Sequence, residues 1–90
     1  MRTVRWTPEA SDQLVAAVKH IQESRPNAAR NVAQLVIDHI EKLATFPALG
    51  RPGEVNGTRE LVIPPYVVVY RFNDEIVEIL HIWHGAQDWR

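Results

Sequence analysis

Cysteine is absent from the 90 residues, which excludes a disulfide framework and any thiolate metal site. No apolar run approaches the length that spans a bilayer, and the opening MRTVRWTPEA lacks the apolar stretch of a secretory signal. Charge of one sign is missing too. Ten basic residues against eleven acidic ones give a formal net charge of −1, unlike a surface built to coat nucleic acid. Lysine is scarce: two lysines stand beside eight arginines. Arginine presents a planar fork of donors to carboxylate or phosphate, although genome composition produces the same skew. A reducing, cytoplasmic setting is expected, with no membrane partner.

The bulk composition, 46% hydrophobic and 23% charged, is that of an ordinary globular chain, and the length suits a single domain over 1–90. TVRW (3–6) alternates polar and apolar like a short strand. Thr7-Pro8-Glu9 then signals a helix: an N-cap, a proline at the first helical position and an acid at the positive end of the dipole. Ala10, Leu14, Ala17, Val18 and Ile21 recur at helical spacing up to about Ser24, where Pro26 disfavours helical geometry at Arg25. A second helix, from about Asn27 to Thr45, carries Val32, Val36, Ile40 and Leu43, widened by Leu35 and Ile37. Residues 46–57, with two prolines and three glycines, are expected to form one long loop. Strands follow at 58–63, 66–72 and 75–83, with turns at Pro64-Pro65 and Asn73-Asp74. The order is β-α-α-β-β-β, an α+β fold with a helical hairpin on one face of a mainly antiparallel sheet.

Tight turns would place Leu61 opposite Val68, Arg59 opposite Tyr70, Phe72 opposite Glu75, and Val68 opposite Ile79. One face then gathers Leu61, Ile63, Tyr66, Val68, Tyr70, Val77, Ile79 and Trp83. The other carries Val62, Val67, Val69, Ile76, Leu80 and Ile82 beside Glu60, Arg71 and Glu78. Two helices cover one face only, so the second is expected to expose apolar area that a second copy, another protein chain or the chain's own tail would shield, at roughly 25 cal/mol per Å².

Several side chains carry chemistry. Arg51, Arg59 and Arg71 come from the loop and two neighbouring strands, with Arg59 and Arg71 near one end of the meander. They suit gripping a phosphate or an acidic partner; equally, Glu60, Glu75 or Glu78 suits pairing with them across strands. His81 and His84 have H-x-x-H spacing, which on a strand sends them to opposite faces, so no metal site and no cofactor is expected. His84, beside Gly85, suits acid–base work or a hydrogen-bonding contact, or simply a tie between the tail and the sheet edge. Tyr66 and Tyr70 read as core aromatics with hydroxyls at the rim.

Taken together, RWTPEASDQL, IEKLATFPALGRP, GTRELVIPPYVVVYRF and EILHIWHGAQDW resemble the RelE/ParE superfamily of bacterial type II toxins, over almost the whole chain. The resemblance implies the same β-α-α-β-β-β fold. It also implies a cognate antitoxin whose C-terminal segment wraps the toxin, in a hetero-oligomer or around a dimer. ParE-like members poison DNA gyrase; RelE-like members cut mRNA in the ribosome. The ILHIWHGAQDW ending is similar to the ParE-type pattern, and His81 departs from an arginine common in relatives.

Arg51, Tyr70, His81, Trp83, Gln87 and Trp89 are expected to form a target or antitoxin surface, and under the gyrase alternative Arg59, Arg71 and His84 belong to the contact surface too. Trp83 and Trp89 anchor it, and His84 and Gln87 face outward. Under the nuclease alternative, Arg59 and Arg71 hold the phosphate and His84 moves the proton, with attack by the substrate's 2′-hydroxyl. The weak net charge favours the gyrase alternative, because a ribosome-directed nuclease approaches dense phosphate. A third possibility is an inactive, structural homologue.

Overall fold

The computed structural model describes residues 1–85. Its elements are β1 (Thr3–Trp6), α1 (Pro8–Ser24), α2 (Pro26–Glu41), β2 (Arg51–Pro52), β3 (Arg59–Ile63), β4 (Tyr66–Phe72) and β5 (Ile76–His84). The five strands form one mixed sheet in the order β1-β5-β4-β3-β2, in which only the β1–β5 pair is parallel. Two helices on a mainly antiparallel sheet match the architecture expected from the sequence.

α1 starts where its capping signals place it. The Thr7 hydroxyl accepts from Ala10 N–H at 3.2 Å, and Pro8 opens the first turn. Pro26 ends α1 and also opens α2, so a single residue, Arg25, links the two helices. That proline is pre-organised for a first turn because its missing N–H has no partner there anyway. α2 stops at Glu41, earlier than expected, and continues as a 3-10 turn over Lys42–Ala44. Ala10 from α1 and Val36 and Ile40 from α2 join Leu43, Leu61, Ile63, Val68, Tyr70, Val77, Ile79 and Ile82 in the buried core. Val4, Trp6, Leu14, Ala17, Ile21 and Val32 close its margin.

Three expectations change. Residues 46–57 are not one loop: Pro47–Leu49 form a 3-10 turn, and Arg51–Pro52 pair with Glu60 and Arg59 as an edge strand. The β4–β5 turn is wider than Asn73-Asp74 alone. The Asn73 side chain accepts from Glu75 N–H and Ile76 N–H, which pairs Phe72 with Val77 instead of Glu75. This two-residue shift preserves the faces. The third change does not: a bulge between Val69 and Tyr70 skips Leu80 on β5. Past it, Ile82 points into the core and Trp83 pairs with Val67 on the open face, the reverse of the expected alternation.

α1 accounts for that bulge. β1 ends at Trp6, so beyond Ile79 the outer edge of β5 has no strand beside it. Thr7 takes its place: its N–H donates to Ile79 O at 3.1 Å. Its hydroxyl lies 2.9 Å from Ile79 O and 3.2 Å from Leu80 O. Two successive carbonyls facing one hydroxyl is the local break in alternation that a bulge requires. One step on, Ile82 N–H donates to Gln13 Oε1 at 2.7 Å. α1 thereby satisfies backbone groups that an edge would leave open.

The open face also exposes less valine than expected. Trp83 replaces Ile82 on it, Val67 and Val69 are buried, and Val62, 44% exposed, is the valine that remains accessible there.

Candidate functional site

The arginines come first, because the sequence assigns them most of the chemistry. Arg59 pairs with Tyr70 across β3–β4 and so shares the core face. Its Nε donates to Gly50 O at 2.8 Å and an Nη to Ala48 O at 3.2 Å, fastening the 47–50 turn to the sheet. Tyr70 completes that fastening. Fully buried, its hydroxyl donates to Pro47 O at 2.6 Å and accepts from Gly50 N–H at 2.8 Å. The core-aromatic expectation for Tyr70 fits this environment; its place on a contact surface does not, since the 47–50 turn lies over its hydroxyl. Gly50 is required there, because a Cβ would stand 2.7 Å from both Tyr70 Oη and Glu60 O.

Arg71, one residue after Tyr70, points to the opposite face. There it grips Glu78 through Nε at 2.8 Å and an Nη at 2.7 Å, and Arg5 reaches the other carboxylate oxygen at 3.2 Å. The hydrogen bond from Arg71 is the largest influence on the Glu78 carboxyl; burial opposes it, but with the hydrogen bond from Arg5 and the charges of both arginines the carboxyl is held below the usual glutamate value. Arg51 pairs with Glu60 in turn, meeting its buried carboxylate at 3.0 Å. The cross-strand pairing with glutamates is therefore realised for both Arg51 and Arg71.

His84 lies at the other end of the sheet. It pairs with Tyr66, and the two rings meet edge to face at 5.7 Å between centroids. Arg71 faces Glu78, six positions earlier on β5, or about 20 Å at the usual rise per residue. Arg59, Arg71 and His84 thus occupy the core face, the open face and the far end of the sheet, and do not converge.

A different group does converge. A pocket of about 430 Å³ opens between α1 and the end of β5, lined by Gln13, Ala16, Ala17, His20, Tyr66, Ile82, Trp83 and His84. Two of these, Trp83 and His84, were expected to be functional; Gln13, His20 and Tyr66 join them. The available signal was the spacing Gln13, Ala16, Ala17, His20, one helical flank with two small residues facing the strand. Burial pushes the Tyr66 hydroxyl above its ordinary pKa. Beside the pocket, His81 stacks on Trp83 at 5.1 Å, and its Nδ1 lies 3.7 Å from Glu9 Oε2. Gln87 and Trp89 lie outside the described residues. Among the described residues no group of three potential metal ligands comes together, and no helix is long and apolar enough to cross a membrane.

Comparison with known proteins agrees with the fold. Residues 4–89 match the family described as ParE toxin of type II toxin-antitoxin system, parDE. The Sinorhizobium fredii protein Y4kP is 38% identical over 90 residues, covering 98% of this chain and 93% of its own length. Toxin RelE2 of Caulobacter vibrioides is 33% identical over 87 residues, covering 97% and 99%. Among solved structures, the chromosomal ParDE TA system from P. aeruginosa superimposes with a TM-score of 0.84 at 27% identity, covering 93% of this chain and 96% of that one. With its helical hairpin, its five-stranded mixed sheet and a match running almost end to end, the chain belongs to the ParE toxin family of type II toxin–antitoxin systems, within the RelE/ParE superfamily.

Proposed function

We propose that this chain is the growth-inhibiting half of a type II pair, neutralised in the cytoplasm by a cognate antitoxin, and that it acts by binding DNA gyrase rather than by cutting RNA. The observation that carries the choice is the dispersal of Arg59, Arg71 and His84. Cleavage by a 2′-hydroxyl needs a proton-transfer group and cationic donors within hydrogen-bond reach of one phosphate. Here one arginine is fastened to main-chain carbonyls, a second is held by a glutamate on the other face, and the histidine is about 20 Å further along the strand. A surface that works by contact makes no such demand. The net charge of −1 supports the same reading, since long-range attraction to ribosomal RNA favours a basic protein.

Inducing the toxin without antitoxin and pulse-labelling DNA, RNA and protein synthesis tests the reading. DNA synthesis is expected to fail first, with DNA damage signalling and no cut transcripts. Purified toxin is expected to inhibit supercoiling by gyrase. Toxicity is expected to survive His84→Ala. The RelE-like alternative draws on the identity to toxin RelE2 and on the His84–Tyr66 pair. Immediate arrest of translation with transcripts cleaved in a His84-dependent way would establish it instead. Harmless expression in the absence of antitoxin would make the chain an inactive homologue.

A further inference from the structure

Gln13, Ala16, Ala17 and His20 form the α1 wall of the pocket. At about 100° per residue, Glu9, Asp12 and Glu23 all lie within about 40° of Ala16 around the helix axis. All three are exposed, and Lys19 is the one lysine or arginine in α1. Ala16 and Ala17 therefore form a small apolar patch in this wall, with carboxylates on its N-terminal and C-terminal sides. Tyr66, Ile82 and Trp83 supply the opposite wall. Gln13 spends its side-chain oxygen on Ile82 N–H, which leaves its amide N–H groups to donate to whatever enters.

We propose that this pocket docks a basic amphipathic segment of a partner protein. One aromatic or long aliphatic side chain enters between α1 and β5, and lysines or arginines on either side of it meet Glu9, Asp12 and Glu23. The Gln13 amide takes a main-chain carbonyl of the segment. Charge complementarity selects this occupant: an acidic peptide or a nucleic acid brings like charge to the rim, and a small apolar ligand leaves the carboxylates unused. The recognition does not require gyrase to be the target.

Two short designed peptides test it, one with a central tryptophan flanked by lysines and its twin with glutamates in their place. Each is titrated against the full native chain by calorimetry, with nuclear magnetic resonance shifts followed at Ala16, Ala17 and His20. The lysine peptide is expected to bind, to shift those resonances and to weaken with added salt; the glutamate twin is expected to bind at least about tenfold more weakly. The triple variant Glu9→Lys, Asp12→Lys, Glu23→Lys is expected to reverse that preference. Ala16→Trp, which fills the pocket from an exposed position, is expected to abolish binding of both peptides. If Ala16→Trp lowers the melting temperature, the charge-reversed triple variant decides alone, since its three positions are exposed. No binding of the lysine peptide, equal affinity for the twins, or an unchanged preference in the triple variant overturns the proposal.

Discussion

Tyr66 and Tyr70 stand four residues apart on β4, both buried on the core face, and their surroundings could hardly differ more. The 47–50 turn closes over Tyr70, whose hydroxyl is saturated by a carbonyl and an amide. Tyr66 instead borders an open pocket, because the helix across from it offers Ala16 and Ala17, too small to fill the space. One end of the strand spends its polar chemistry on holding the molecule together. The other keeps polar groups at a cavity mouth. Arginine, tyrosine and histidine are equally suggestive in a sequence, and only the backbone facing them separates the two uses.

The contrast breaks most sharply at the closed end. Tyr70→Ala removes a fully buried ring and both hydrogen bonds, and is expected to cost about 3–5 kcal/mol by urea unfolding. Gly50→Ala forces a methyl against Tyr70 and the Glu60 carbonyl, with about 1–3 kcal/mol expected. Arg71→Ala is expected to cost less than either, because the Arg71 side chain is largely exposed and Arg5 stays on the Glu78 carboxylate. The same variant has a signature in acid. The Glu78 carboxyl is held low in the folded chain, so the unfolded chain takes up the proton first. Its contribution is present above the ordinary glutamate pKa and is lost as the pH falls through the lowered value. Unfolding across an acid pH series is expected to show a smaller loss in Arg71→Ala than in the native chain. At the open end, His20→Ala is expected to change stability by less than about 0.5 kcal/mol, as for an exposed side chain without structural duties.

Both helices were legible in the sequence, as were the three main strands and the Pro64-Pro65 turn, since proline, capping residues and apolar spacing act locally. β2 was not, because two residues carry no period, and its pairing depends on where β3 lies. The bulge was hidden for a different reason. EIVEILHIW is apolar in both phases of its alternation, so a one-residue slip left no trace in the pattern. That slip is also why Trp83 and Ile82 exchanged faces. At the site, the arginines were conspicuous by residue type, yet their partners, Glu78, Glu60 and two carbonyls, depend on long-range register. Gln13 and His20 were overlooked because a polar residue on a helix is ordinarily just a solvated one.

The skipped Leu80 has a consequence for how this molecule changes over generations. It acts as a phase shifter: Val77 and Ile79 before it on β5 are locked to the core, while the residues after it take the opposite phase. Gaining or losing one amino acid at that position would swap inward for outward residues from 81 onward and leave Val77 and Ile79 where they are. Such a re-sorting would withdraw Ile82 from the core and from Gln13, so its cost falls at the end of the strand while the earlier part stays packed.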